Sequence, residues 1–279
     1  ITLSIGIRNP TPIEILGDFS SFLMSELSNQ FPLSSELFSE EGEIPDKFIN
    51  LFDKIIPIPW YDKSVDKSRY SIENRWKIYH ASPYDQTIVL DSDTIVLQDL
   101  SLWWNFLDQY YLYYVTDVVT YRGVNVDNDY YRKAFTQNNL PNLYSGLHFF
   151  KKTDKAKEFY AWMELISNNW ELFYGKYVKH HYPQYPSMDI TAAVACKLLG
   201  IEKQITYTKN NMIKFVHMKP NIQGWNQIKE RWTNQLGVYI TENLDLVIGN
   251  YRQTGVFHYT EPCFFSYKLL ERYCEKIGL

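Results

Sequence analysis

Apolar positions along the chain fall into two patterns. Short unbroken runs read as buried strands, and stripes at i, i+3, i+4 spacing read as helices. Leu3-Ser4-Ile5-Gly6-Ile7 predicts a first strand, stopped by Asn9-Pro10-Thr11-Pro12. Ile15, Leu16, Phe19, Phe22, Leu23 and Leu27 then recur at helical spacing and predict an amphipathic helix over 13–30. Residues 32–46 are acidic, contain Pro, Gly and Ser, and read as a surface loop. Pro57 and Pro59 make 55–60 an extended edge. A helix is predicted over 66–82, with Ile72, Trp76 and Tyr79 on one face and Arg69, Arg75 and Lys77 on or near the other. Pro83 ends it.

The next stretch, 87–97, reads TIVLDSDTIVL and organises the rest. Thr87-Ile88-Val89-Leu90 has the length and composition of a strand buried on both faces, as in a parallel sheet. A short helix follows at 101–107, then a strand at 111–116 that ends on Asp117. A turn and strand are expected at 143–150, a long helix over 154–176, and a helix from Ser187-Met188-Asp189 to Leu199 with Gly200 just beyond it. Strand-like runs at 204–208, 213–217, 237–241 and 254–259 precede a helical tail over 264–277. This order predicts one α/β domain over 1–279, on a mixed, mostly parallel sheet flanked by helices. It divides into halves at 1–120 and 121–279.

Composition narrows the function. A net charge of −4 without a basic run argues against nucleic-acid binding, which needs clustered Lys and Arg against phosphates. No apolar segment is long enough to span a bilayer. Three cysteines, Cys196, Cys263 and Cys274, are too few and scattered for a disulfide framework or a zinc site, which favours a cytoplasmic setting. Aromatics, 17% of the chain, suit both a core and the faces of sugars and bases. There is no G-x-G-x-x-G and no G-x-x-x-x-G-K, so neither a dinucleotide fingerprint nor a P-loop is present.

Asp91 and Asp93 carry the candidate chemistry. Placed at the carboxyl end of a buried strand, both can reach one hard cation, Mg²⁺ or Mn²⁺, of the kind held by one or two carboxylates plus substrate phosphates. Asp127-Asn128-Asp129 has the same spacing in a polar stretch after Gly123 and reads as plain turn chemistry. Asp189 reads either as a helix-capping residue or as a site carboxylate. For Asp117 the choice is between a strand-end turn and a nucleoside or sugar contact, and for Arg75 between a solvated helix face and a helper cation.

The chain resembles retaining glycosyltransferases of the GT-A fold, family 8, the glycogenin and bacterial galactosyltransferase group. NRWKIYHASP running into TIVLDSDTIVLQDLSLWW is similar to that family's segment around its D-x-D. YSGLHFF at 144–150 stands where the family has Asn-Ser-Gly before a strand, Met188-Asp189 where it has an Asp-Gln helix start, and VFHY at 256–259 where it has a late His. The likeness covers roughly residues 1–200 and implies a nucleotide- and metal-binding half at 1–120, with the acceptor half and the C-terminal segment at 121–279.

The resemblance implies a glycosyltransferase (a hexosyltransferase) that moves a sugar from a nucleotide-diphosphate donor, a UDP-sugar first, to a carbohydrate or glycoconjugate acceptor. It implies Mn²⁺ or Mg²⁺ on Asp91 and Asp93, with His258 as third ligand. His217, in FVHMKPNIQGW, is the alternative. Arg75, Ser92, Asp117, Ser145 and Gly146 would line the donor site, and Asp189 and Arg75 would serve the transfer. Tyr144 replaces the family's Asn, Ile190 its Gln, and His258 lacks the family's following Gly and Lys. Two rivals stay open: a haloacid-dehalogenase-type phosphatase using Asp91 and Asp93, and a catalytically silent nucleotide-sugar-binding protein.

Overall fold

The computed structural model describes the strand backbones at 2–8, 11–15, 33–39 and 54–57. It describes residues 71–259 apart from 92, 99–100, 127–130, 181–185, 207–212 and 219–234, and also residues 272 and 275. The architecture is mixed α/β. Strands β1 (Thr2–Arg8), β2 (Thr11–Ile15), β3 (Leu33–Ser39) and β4 (Lys54–Pro57) lead to a 3₁₀ helix over Ser71–Lys77, continued by α1 (Ile78–Ala81). Then come β5 (Gln86–Asp91), β6 (Thr94–Val96), α2 (Ser101–Leu107), β7 (Leu112–Val115), β8 (Val118–Val119), α3 (Lys133–Thr136) and β9 (Tyr144–Lys151). Helices α4 (Asp154–Asn168), α5 (Trp170–Tyr177), α6 (Met188–Leu199) and α7 (Glu202–Ile205) are followed by β10 (Phe215–His217), β11 (Val238–Ile240), β12 (Leu246–Ile248), β13 (Tyr251–Arg252) and β14 (Val256–His258).

A seven-stranded sheet runs β4-β3-β2-β1-β5-β9-β7, and a four-stranded sheet runs β6-β14-β10-β8. The expectation of a mostly parallel sheet is corrected here. β5 is antiparallel to both its neighbours, β1 and β9, and β7 is antiparallel to β9. Parallel pairs are β2–β3 and β3–β4 in the large sheet and β10–β14 and β10–β8 in the small one. Thr87 to Leu90 are nonetheless buried on both faces. An unbroken apolar run reports that both faces are covered and leaves strand direction undetermined. Ile88, Val89 and Leu90 each contribute about 1.5–3 kcal/mol by leaving water. They join Trp103, Tyr113, Phe149, Phe159 and Ala193 in one apolar core.

Several local expectations change. Residues 11–15 form strand β2 instead of the start of a helix; 16–30 lie outside the described residues. The expected loop over 32–46 contains β3, whose backbone is paired by β1, β2 and β4. There, tertiary pairing overrides polar composition. Residues 202–205 are helical, the long helix breaks at Asn169, and β8, β12 and β13 are too short to leave a pattern. The 58–60 and 66–70 segments, Asp99, the 127–129 repeat, Cys263 and Cys274 lie outside the described residues, as does the tail except Arg272 and Glu275, which are helical. Cys196 is buried and free, its thiol pushed up to about 12 by burial. Among the described residues, no helix is long and apolar enough to cross a membrane.

Candidate metal centre

The site forms where the chain leaves one sheet for the other. β5 ends on Asp91 inside the seven-stranded sheet, and β6 begins three residues later at the edge of the four-stranded one. Thr94 closes the turn between them, its hydroxyl donating to the Asp91 carbonyl at 2.6 Å. β6 then pairs antiparallel with β14, setting Thr94 opposite His258, and the Tyr259 amide donates to the Asp93 carbonyl at 3.0 Å. That register brings a residue 165 positions after Asp93 in sequence onto its carboxylate. His258 Nε2 lies 2.8 Å from Asp93 Oδ1 and 3.7 Å from Asp91 Oδ2. Asp91, Asp93 and His258 each offer one ligand atom, all within 4.8 Å of one another.

The same register separates the two histidines. β14 lies between β6 and β10, so His258 faces the carboxylates and His217 stands one strand further back. His217 Nδ1 is 2.9 Å from His258 Nδ1, and both rings are buried. His217 is therefore outside the Asp91–Asp93 set and directly behind its histidine.

Arg75 enters from the 3₁₀ helix, its Nη2 donating to Asp91 Oδ1. Its side chain is half-buried, so of the two sequence readings the solvated helix face does not hold. Burial opposes the guanidinium's charge, but Asp91, Asp189 and Asp93 outweigh it and hold its pKa above the ordinary value. Its Nε–H is buried with no hydrogen-bond partner among the described residues. Burial likewise pushes the Asp93 carboxyl up, and His258 overcomes it to hold that carboxyl below the usual range. The centre is thus two carboxylates, an imidazole and a guanidinium whose Nε–H has no partner among the described residues, a donor set that suits a hard cation carrying an anionic group.

Strand β9 supplies the floor. A Cβ on Gly146 would lie 2.9 Å from Asp91 Oδ2 and 3.1 Å from the Phe215 ring, so the absent side chain makes room for the carboxylate. Ser145 donates to Asp189 Oδ1 twice, from its amide at 2.8 Å and from its hydroxyl at 2.5 Å. Asp189 sits in the first turn of α6, but Ser187 is that helix's N-cap and accepts from the Ile190 amide. Asp189 is thereby released from capping and ties α6 to β9.

Sequence reasoning missed Arg132. This side chain is 2% exposed, donates from Nη2 to Asp189 Oδ2 at 2.5 Å and from Nη1 to the Leu143 carbonyl at 2.7 Å. Its guanidinium carbon lies 3.4 Å from the Tyr144 ring centroid. In sequence it stands beside Lys133 in a polar stretch and looks like any surface arginine. His148 reads from sequence as a structural histidine, and it lies fully buried in β9. Its Nδ1–H donates to the Ser145 carbonyl at 2.9 Å, its ring stacks on Tyr114, and burial pushes its pKa down to about 4. Asp117, raised by burial, is not part of the Asp91–Asp93–His258 group, and Ser92 lies outside the described residues.

No protein-family model matches the chain, and none of the curated proteins is significantly similar to it.

Proposed function

We propose that the chain is a metal-dependent glycosyltransferase of GT-A type, acting on a nucleotide-diphosphate sugar. The observation that carries this reading is the convergence of Asp91, Asp93 and His258 within 4.8 Å at the end of a buried strand. Such a trio, with Arg75 beside it, answers the need to neutralise a leaving diphosphate as the anomeric bond breaks. A bound Mn²⁺ or Mg²⁺ would supply Lewis-acid stabilisation of that charge. Asp91, Asp93 and His258 would hold the cation. Arg75, already bonded to Asp91, would offer its remaining N–H groups to the diphosphate. Asp189, fixed by Ser145 and Arg132, would present a rigid carboxylate next to the transferred sugar's hydroxyls. Retention of configuration is the family's mode and requires no enzymatic base. Transfer is expected to pass through an oxocarbenium-like state, which a carboxylate nearby stabilises.

The phosphatase reading asks Asp91 to be a nucleophile with a free oxygen. Asp91 Oδ1 accepts from Arg75, which leaves Oδ2 for that role, but the reading has no use for His258 beside Asp93. A silent binder differs only in turnover. The deciding experiment is calorimetric titration of nucleoside diphosphates and their sugars into the chain, with Mn²⁺ and with chelator, beside Asp93→Asn. Metal-dependent binding of one diphosphate, lost in Asp93→Asn, is the expected result. Donor hydrolysis would then separate enzyme from binder. No binding under any condition would remove the reading at its central residue.

A further inference from the structure

His217 and His258 are register partners in the parallel β10–β14 pair, so their side chains leave the same face of the sheet. Their ring centroids are 4.7 Å apart and their Nδ1 atoms 2.9 Å apart. Both rings are buried, at 3% and 6% exposure. A contact of this length between two imidazole nitrogens is a hydrogen bond with a single proton: one ring donates and the other accepts.

Two directions are available, and they do different things to Nε2 of His258. If His217 donates, a neutral His258 carries its proton on Nε2 and spends it on Asp93 Oδ1 at 2.8 Å. If His217 accepts, the His258 proton is on Nδ1, and the Nε2 lone pair faces Asp91 and Asp93. Only the second can hold a cation.

We infer that His217 is a positioning residue for the metal centre: by accepting at Nδ1, it selects the tautomer and ring angle in which His258 Nε2 is a ligand. This rests on the metal reading proposed above. A ligating histidine ordinarily donates its second N–H to a carboxylate or backbone carbonyl, and loss of such a partner costs about 10- to 100-fold in metal affinity. Here an imidazole takes that place. It adds no negative charge to a centre that already holds two carboxylates. Its own position is fixed by Tyr144 and Phe215, whose rings lie 5.8 Å and 6.2 Å from it.

The test uses the full chain with Mn²⁺ as probe, free Mn²⁺ being counted by electron paramagnetic resonance with and without UDP. His217→Phe keeps the ring volume and removes the acceptor. His217→Asn returns a carboxamide oxygen close to the Nδ1 position. The expected result is a loss of affinity of about 10- to 100-fold in His217→Phe and recovery of most of it in His217→Asn. Thermal unfolding in chelator, unchanged between the forms, separates this from misfolding. A folded His217→Phe with wild-type affinity overturns the positioning role alone, whereas a wild type that binds no Mn²⁺ overturns the metal reading beneath it. Should His217→Phe not fold, ¹⁵N shifts of the Mg²⁺-loaded wild type decide. A protonated His258 Nδ1 supports the inference and an unprotonated one overturns it.

Discussion

Arg132 and Asp189 are 57 residues apart in sequence, and their side chains meet at 2.5 Å, with the arginine 2% and the aspartate 14% exposed. The pair joins the segment before β9 to the first turn of α6, and it fixes the carboxylate that also holds Ser145. A buried ion pair contributes little over a well-packed apolar pair, yet breaking one half of it is expensive.

Arg132→Met is therefore expected to destabilise the fold by about 3–5 kcal/mol, since it strands the Asp189 carboxylate. Adding Asp189→Asn removes the stranded charge, so the double variant should lose less than the sum of the two singles. Urea unfolding of all four forms measures this. Strict additivity would show that the two side chains are not coupled.

Gly146→Ala puts a methyl group 2.9 Å from Asp91 Oδ2. Displacing that carboxylate should cost about 1–3 kcal/mol, as overpacking does in a filled interior, and should weaken Mn²⁺ binding more than it lowers stability. Parallel calorimetry and unfolding check the two. Unchanged metal affinity would place Asp91 outside the ligand set.

Gly255 has φ +80°, and a Cβ there would lie 2.1 Å from the Lys214 carbonyl oxygen. The Val256 amide donates to that same oxygen at 2.8 Å, so Gly255 is where β14 docks against β10. Gly255→Ala combines a left-handed backbone with a backbone clash and is expected to cost at least about 3 kcal/mol. His258 would be displaced with it. An alanine variant with wild-type stability would contradict this docking.

His148 is kept neutral, burial pushing its pKa down to about 4 from the ordinary 6.5. The unfolded chain therefore binds more protons between these values. The stabilisation is complete above pH 6.5 and is lost as the pH falls towards 4, by about 3 kcal/mol in all. In His148→Phe, which keeps a ring against Tyr114 but cannot protonate, the deficit relative to wild type should shrink between pH 7.5 and pH 5. Denaturant titrations at the two pH values measure it. An equal deficit at both would show that His148 does not titrate across that range.

Mn²⁺ that binds only the folded chain stabilises it by mass action, by about 2.7 kcal/mol at a hundred times its dissociation constant. The melting temperature should rise with added Mn²⁺, return with chelator and stay flat in Asp91→Asn. A rise in Asp91→Asn equal to the wild type's would locate the cation elsewhere.

The sequence by itself determined the buried strand at Thr87–Leu90, the polar turn at its end, and the helix from Ser187 to Gly200. Each of these is encoded within a dozen or so residues, by an apolar run meeting two acids or by a cap at either end. Asp91 and Asp93 were visible for the same reason. Strand direction was not, because the burial of a strand's two faces is the same whether its neighbours run with it or against it. Only the tertiary structure set His258 beside Asp91 and Asp93 and His217 behind it. Both end short apolar strands, and the arrangement follows from β14 lying between β6 and β10. Arg132 became a site residue in the same way. Its burial comes from Tyr144, Leu143 and Asp189 closing around it, and no local pattern marks an arginine whose partner lies 57 residues away.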